Sequence, residues 1–230
     1  MTITTSRLLR ACGLSAVLAG LLYIVIQFVH PAEELATVTG TAWVVVATMT
    51  LAFGLLGLVG VTGVYLRQVR ETGVLGLVGS LLTGLFFLLV TAFSFVEILI
   101  LPPLAPQAPA FVDSFLGIFS GSGGGDAELG ALSALSTVSF ALYLLGGVLL
   151  GSAVIRAHVL SRAAGTLLLV GAACSLLVPL VPHAVGRYAA VPYGAALIWL
   201  GYSLWTDRQA TSTAMSPASG SAERTSAAIG

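Results

Sequence analysis

The sequence predicts an all-α protein embedded in a membrane, a polytopic bundle of six transmembrane helices with a short amphipathic helix in an outer loop. Three observations lead there. The 230-residue chain is 57% hydrophobic and only 8% charged, with a mean hydropathy of +1.04, more apolar surface than a soluble domain of this size can bury. Its apolar residues fall into six continuous runs, each close to the ~20 residues that cross the hydrocarbon core as helix. The runs also lack the lipid-facing and lumen-facing alternation of a barrel strand, so helices are what satisfy the backbone.

The runs lie at about 11–29, 42–66, 73–101, 130–155, 163–181 and 188–205. Arg7 and Arg10 ahead of the first give it the look of a signal peptide. It is long, however, and ends in His30-Pro31-Ala32-Glu33-Glu34 without a small-residue cleavage site, which favours an uncleaved first helix. Leu9-Arg10-Ala11-Cys12 precedes the apolar run instead of following it, unlike a lipoprotein box. Runs two and three are joined by a short connection holding Arg67 and Arg70, and runs four and five by one holding Arg156 and Arg162.

The long connection 102–128 is not uniform. Pro102, Pro103, Pro106 and Pro109 predict a stiff, extended start. Phe111, Val112, Phe115, Leu116, Ile118 and Phe119 then fall on one side of a short helix, opposite Asp113, Gly117 and Ser120, a pattern that lies in an interface plane or caps a bundle. Residues 120–125 read as a flexible glycine tether, and 206–230 as a disordered, polar tail.

Orientation follows from arginine. Eight of the nine lie before helix one, between two and three, between four and five, or after six; Arg187 alone falls on the other side. By the positive-inside rule both termini are cytoplasmic in a bacterial-type plasma (inner) membrane, with 1–10 and 206–230 inside. Tyr202 and Trp205 fit an aromatic anchor at the inner end of helix six.

Composition also excludes functions. With no lysine in the chain, a retinal Schiff base, a pyridoxal aldimine and a lysine nucleophile are ruled out. The formal charge is zero and the arginines come in ones and twos, so there is no footprint for nucleic acid. Cys12 lies at the inner edge and Cys174 about 18 Å along its helix from Arg162 at 1.5 Å per residue, depths that do not favour a disulfide.

A weak internal repeat links Arg70-x-x-Gly73-x-Leu75-x-Leu77-Val78-Gly79 with Arg162-x-x-Gly165-x-Leu167-x-Leu169-Val170-Gly171, and Arg10-x-x-Gly13 opens helix one similarly. The odd helices end alike too, in His30-Pro31, Pro102-Pro103 and Pro182-His183. Three parallel hairpins are one reading; the commonness of Arg, Gly, Leu and Val at inner membrane edges is the other.

Small residues, which let helices approach closely, gather in the inner half: Gly54, Gly57, Gly60 and Gly63 on helix two, Gly73, Gly76, Gly79, Ser80 and Gly84 on three, Gly147 and Gly151 on four, Gly165 and Gly171 on five. The outer half carries polar stripes instead: Tyr23, Gln27 and His30 on helix one, Thr91, Ser94 and Glu97 on three, Ser136, Ser139 and Tyr143 on four. Such stripes face protein or water. The expectation is a bundle closed inside and splayed outside, with an outward pocket roofed by 111–119.

Candidate ligand-binding residues are Tyr23, Gln27, His30, Glu97, Tyr143, His183 and Arg187. Glu97 lies about 36 Å along its helix from Gly73, near the outer interface. It has two readings: a proton donor or ligand anchor, or a salt bridge to Arg187. His30 and His183, with Glu33, Glu34 and Glu97, bring acid-base and metal chemistry to mind, against a plain helix-capping role. No two histidines lie one turn apart, so no metal, haem or other cofactor is expected.

Several stretches resemble an uncharacterised family of bacterial six-helix integral membrane proteins. They are the opening helix into Phe28-Val29-His30-Pro31, the run Phe95-Val96-Glu97-Ile98-Leu99-Ile100-Leu101-Pro102, the segment 111–121, Pro182-His183, and the close Trp199-Leu200-Gly201-Tyr202-Ser203-Leu204-Trp205. The resemblance implies the fold and the membrane but no activity, so it transfers no functional residue.

No motif fixes a reaction. The leading expectation is a non-enzymatic protein that binds, senses or helps move a small amphiphilic ligand through the outward pocket. The alternative is an intramembrane enzyme acting on a lipid or isoprenoid, with Glu97 or His30 as acid or base and Tyr23 or Tyr143 orienting the substrate. A structural role beside another membrane protein, or self-association, would use the glycine faces.

Overall fold

The computed structural model describes residues 4–120, 126–181 and 183–206, and for Pro179, His183 and Ala184 the backbone alone. The expected glycine tether and terminal tail lie outside the described residues, except for Ser120 and Thr206, which close helices. All regular structure among the described residues is helical. Four long helices are α1 (Thr5–Val29), α2 (Thr41–Arg67), α3 (Val69–Leu99) and α6 (Leu135–Ala157), the last entered through a 3-10 turn at Gly130–Ala134. Between α3 and α6 come α4 (Leu101–Leu104) and α5 (Pro109–Ser120), and after α6 come α7 (Arg162–Cys174), α8 (His183–Gly186) and α9 (Val191–Thr206).

Four helices are long and apolar enough to cross a membrane: α1, α2, α3 and α6 with its lead-in. Six of that length were expected. The fifth run stays α-helical only to Cys174 and tightens into 3-10 helix over Ser175–Leu180, and the sixth starts at Val191 after a 3-10 turn at Arg187–Ala190. Proline explains the first change: Pro179 has no N–H for the Ser175 carbonyl, so the α-helical hydrogen bond cannot form there. Pro192 falls at the second position of α9, where a missing N–H costs nothing.

Local chemistry sets the other ends. The Thr4 hydroxyl accepts from the Arg7 amide at 3.4 Å and that of Ser161 from the Ala164 amide at 3.4 Å, two N-caps. His158 ends α6 in the left-handed region, with φ of 57°. Gly73 breaks α3 near its start with φ 54° and ψ −148°, a conformation open to glycine. The prolines do not keep the next segment extended, contrary to expectation: Pro102 and Pro103 occupy the first turn of α4, where helix geometry suits their fixed φ.

The six larger helices α1, α2, α3, α6, α7 and α9 pack in chain order, each on the next, and α9 closes back on α1 to form a ring. Paired close approaches give the directions. Gly13 meets Gly201 and Gly20 meets Gly194, Gly60 meets Ala16 and Gly63 meets Cys12, Gly79 meets Leu150 and Gly146 meets Thr83. In each pair of helices the partner number falls as the other rises, so neighbours are antiparallel. Arg7, Arg10, Arg67, Arg70, Arg156 and Arg162 therefore collect at one end, and α1, α3 and α7 run the same way, opposite to α2, α6 and α9. The glycines permit this closeness: a methyl group on Gly13 would sit 2.7 Å from the Gly201 carbonyl oxygen.

The outward faces are as apolar as the interior. Leu14, Leu18, Leu21, Val25 and Phe28 form an exposed stripe on α1, and Val74, Leu77, Leu81, Leu85 and Leu88 another on α3. At a spacing of three or four residues, a helix in water would carry polar groups there. One apolar cluster fills the ring. A second, built on Val38, Trp43, Leu101, Val112, Phe115 and Leu116, fastens α5 across the end away from the arginines. Thus α5 caps the bundle, and the Ser114 hydroxyl holds the returning chain by accepting from the Ala127 amide at 3.1 Å.

Candidate functional site

A partly open cavity of about 190 Å³ lies under α5, between α2, α3 and α6. Along α3 it runs from Phe86 to Glu97, about 16 Å at 1.5 Å per residue. Phe86, Leu89 and Val90 line it toward the arginine end, Phe93, Leu116 and Phe119 under the roof, and Thr50 and Ser139 at the sides. Its polar end is made by Glu97 and Ser94 of α3, Trp43 of α2, and His30 and Glu33 from the segment that follows α1.

Each polar group is held by a local cause. Trp43 is 2% exposed and donates its indole N–H to the Glu97 backbone carbonyl at 3.1 Å, locking α2 to the end of α3. The Glu97 side chain stays available to the cavity, although the residue is only 9% exposed. One turn earlier the fully buried Ser94 hydroxyl has no hydrogen bond of good geometry, and it neighbours the Glu97 carboxyl. His30 Nδ1 donates to the Pro31 carbonyl at 2.8 Å, which fixes the ring edge-on to Trp43 at 6.2 Å between centroids. The roof is an aromatic clasp: Phe93 stacks on Phe115 at 4.9 Å and meets Phe119 edge-on at 4.7 Å.

The expected ion pair between Glu97 and Arg187 is not formed. Arg187 Nη2 lies 3.6 Å from Glu33 Oε1, and its Nη1 donates to the His30 carbonyl at 3.5 Å. Ring order is the reason. Arg187 leads into α9, which adjoins α1 and the segment carrying Glu33, whereas α3 sits between α2 and α6 on the other side of the bundle. Glu33 Oε2 stays buried without a hydrogen-bond partner.

The other candidates divide. His30 and Glu97 line the cavity together. Gln27 is half-buried and donates to the backbone carbonyl of Tyr23 on its own helix at 2.9 Å. The side chain of His183 lies outside the described residues. Tyr23 and Tyr143 belong to a separate knot inside the ring: Tyr23 stacks on Phe53 at 4.4 Å, Tyr143 stacks on Tyr193 at 4.5 Å, and Tyr193 meets Tyr23 edge-on at 6.1 Å. The Tyr23 and Tyr143 hydroxyls neighbour each other, and that of Tyr193 lies near Thr83 without a hydrogen bond of good geometry.

The knot has a common level. Tyr23, Thr83 and Tyr143 each lie thirteen positions from the arginine marking the end of their helix (Arg10, Arg70 and Arg156), about 20 Å at 1.5 Å per residue. The sequence reading missed Tyr193 and Trp43, and it grouped Glu33 with the histidines without pairing it to Arg187. For Tyr193 a signal existed: its ring and backbone occupy the space a side chain would need at Gly147 and Gly171. Those two glycines were read as general small-residue packing. Among the described residues no group of three or more His, Cys, Asp or Glu side chains is arranged to hold a metal ion.

No protein-family model matches the chain, and neither a curated protein nor a solved structure shows significant similarity to it.

Proposed function

We propose that the chain is a six-span membrane protein that takes up a small amphiphilic ligand in the cavity beneath α5. The observation that carries this is the polarity gradient along the cavity, from Phe86, Leu89 and Val90 at one end to Ser94, Glu97 and His30 at the other. An amphiphile has the same gradient. At about 190 Å³ the space exceeds the ~150 Å³ apolar cavity that accepts benzene, so a compact ring or short branched chain fits.

Six crossings are supported by length as well as by the ring. At about 1.5 Å per residue in α-helix and 2.0 Å in 3-10 helix, α7 with its 3-10 extension reaches about 31 Å, and α9 with its leading turn about 32 Å. Both match a hydrocarbon core of about 30 Å. The arginine end then faces the cytoplasm of a bacterial-type cell, with both termini there, and the cavity opens toward the outer side. The resemblance to bacterial six-helix membrane proteins points the same way. A reporter fused to either terminus and found accessible from outside intact cells would overturn this orientation.

Uptake is tested by purifying the protein in mild detergent and identifying bound small molecules by native mass spectrometry. Val90→Trp, which fills the cavity, should abolish the adduct. Leu88→Trp, on the exposed apolar face, should retain it. An adduct equally abundant in both variants refutes the cavity as the site.

A second reading, acid-base chemistry on a lipid or isoprenoid, draws on His30 and Glu97 lining one cavity. Tyr23 and Tyr143, the expected orienting groups, lie in the central knot instead. Turnover of a bound lipid by the wild type, lost in both His30→Gln and Glu97→Gln, would favour it over simple binding.

A further inference from the structure

We infer that the ligand is a protonated amine, whose ammonium group sits between Glu97 and Ser94 while its apolar stem points toward Phe86. This rests on the cavity being a ligand site. Charge at the polar end is unbalanced: Glu33 and Glu97 contribute two carboxyl groups, and the guanidinium of Arg187 contacts Glu33 alone of the two. A buried carboxylate without a cation is costly, and a bound ammonium removes that cost.

Two further observations bear on the same end of the cavity. The Ser94 hydroxyl is fully buried, lines the cavity and lacks a hydrogen bond of good geometry, so it can accept an N–H from a ligand beside Glu97. Trp43 at the polar end, with Phe93 and Phe119 under the roof, adds aromatic rings of the kind that attract a cation and offer nothing comparable to an anion.

The test compares three probes with a shared phenyl stem, 2-phenylethylamine, 2-phenylethanol and phenylacetate, titrated calorimetrically into the purified full chain in nanodiscs at pH 8, where histidine is neutral. The expected order is amine, then alcohol, then acid. Glu97→Gln should weaken the amine on the order of tenfold or more and move the alcohol by no more than about twofold. It leaves intact the Trp43 bond, which uses the Glu97 backbone. Should that variant fail to fold, Ser94→Ala removes a hydroxyl that makes no well-formed bond and should weaken the amine about threefold or more. Alcohol binding at least as tightly as amine in the wild type, or an amine-to-alcohol ratio unmoved by either variant, overturns the inference and leaves the cavity reading standing. If none of the probes binds the folded wild type, both fall.

Discussion

Three glycine-to-alanine substitutions make one chemical change with three different outcomes. At Gly20, on the α1–α9 seam, the new methyl would press on the Gly194 carbonyl and lie 2.9 Å from the Ile198 amide nitrogen, both backbone atoms that cannot swing aside. Overpacking of this kind costs about 1–3 kcal/mol, against a helix-propensity gain of at most about 1 kcal/mol. The net expectation is a loss of about 1–2 kcal/mol. At Gly84 the nearest atom is Leu58 Cδ1 at 3.4 Å, ordinary contact with a flexible tip. There the propensity gain stands nearly alone, about 0.5–1 kcal/mol of stabilisation. At Gly73 nothing lies within 4 Å, but φ is +54°, and the strain on an L-residue costs about 1–3 kcal/mol despite the open space. Equilibrium unfolding by graded addition of a denaturing detergent, followed by helical circular dichroism, separates the three. If Gly20→Ala and Gly84→Ala shift the midpoint in the same direction, the ring packing derived for α1 and α9 is wrong.

Tyr193→Phe should change stability by less than about 1 kcal/mol or raise it, because the hydroxyl it removes is buried without a well-formed bond. Tyr193→Ala, which empties a fully buried ring site, should cost about 3–5 kcal/mol in the same unfolding assay, and equal losses in the two variants would contradict this. A double-mutant cycle should give Arg187 a coupling to Glu33 of about 0.2–1 kcal/mol, as expected of a partly exposed pair, and none to Glu97. A coupling confined to Glu97 would restore the ion pair that the ring order forbids.

The helical class and the apolar runs were legible because lipid leaves the backbone few ways to satisfy itself, and 11–29 or 42–66 can hardly be anything but helix. The ends of the fifth and sixth runs were not, since hydropathy is blind to Pro179 forcing a 3-10 turn inside an apolar stretch. Nor was the conformation at Gly73. Its motif matches that around Gly165, yet Gly165 packs against Gly151 within regular helix while Gly73 faces open space at a kink. The candidate site was legible along each helix and illegible across helices. Spacing placed Ser94 beside Glu97, but it could not say that α9 delivers Arg187 to Glu33. That depends on the ring order, which no single stripe encodes.

Ring order also accounts for where the cavity can exist. Toward the arginines, neighbouring helices touch through Gly13 and Gly201, Gly63 and Cys12, and Gly151 and Gly165, leaving space for small groups alone. The tyrosine knot fills the next level. Beyond it, Trp43, Phe86 and Phe93 border the cavity between α2, α3 and α6. The cover, α5, is fastened by an apolar cluster of its own, distinct from that of the ring, and by the rings of Phe93, Phe115 and Phe119. The contacts that hold α5 are therefore separate from the glycine seams that hold the ring.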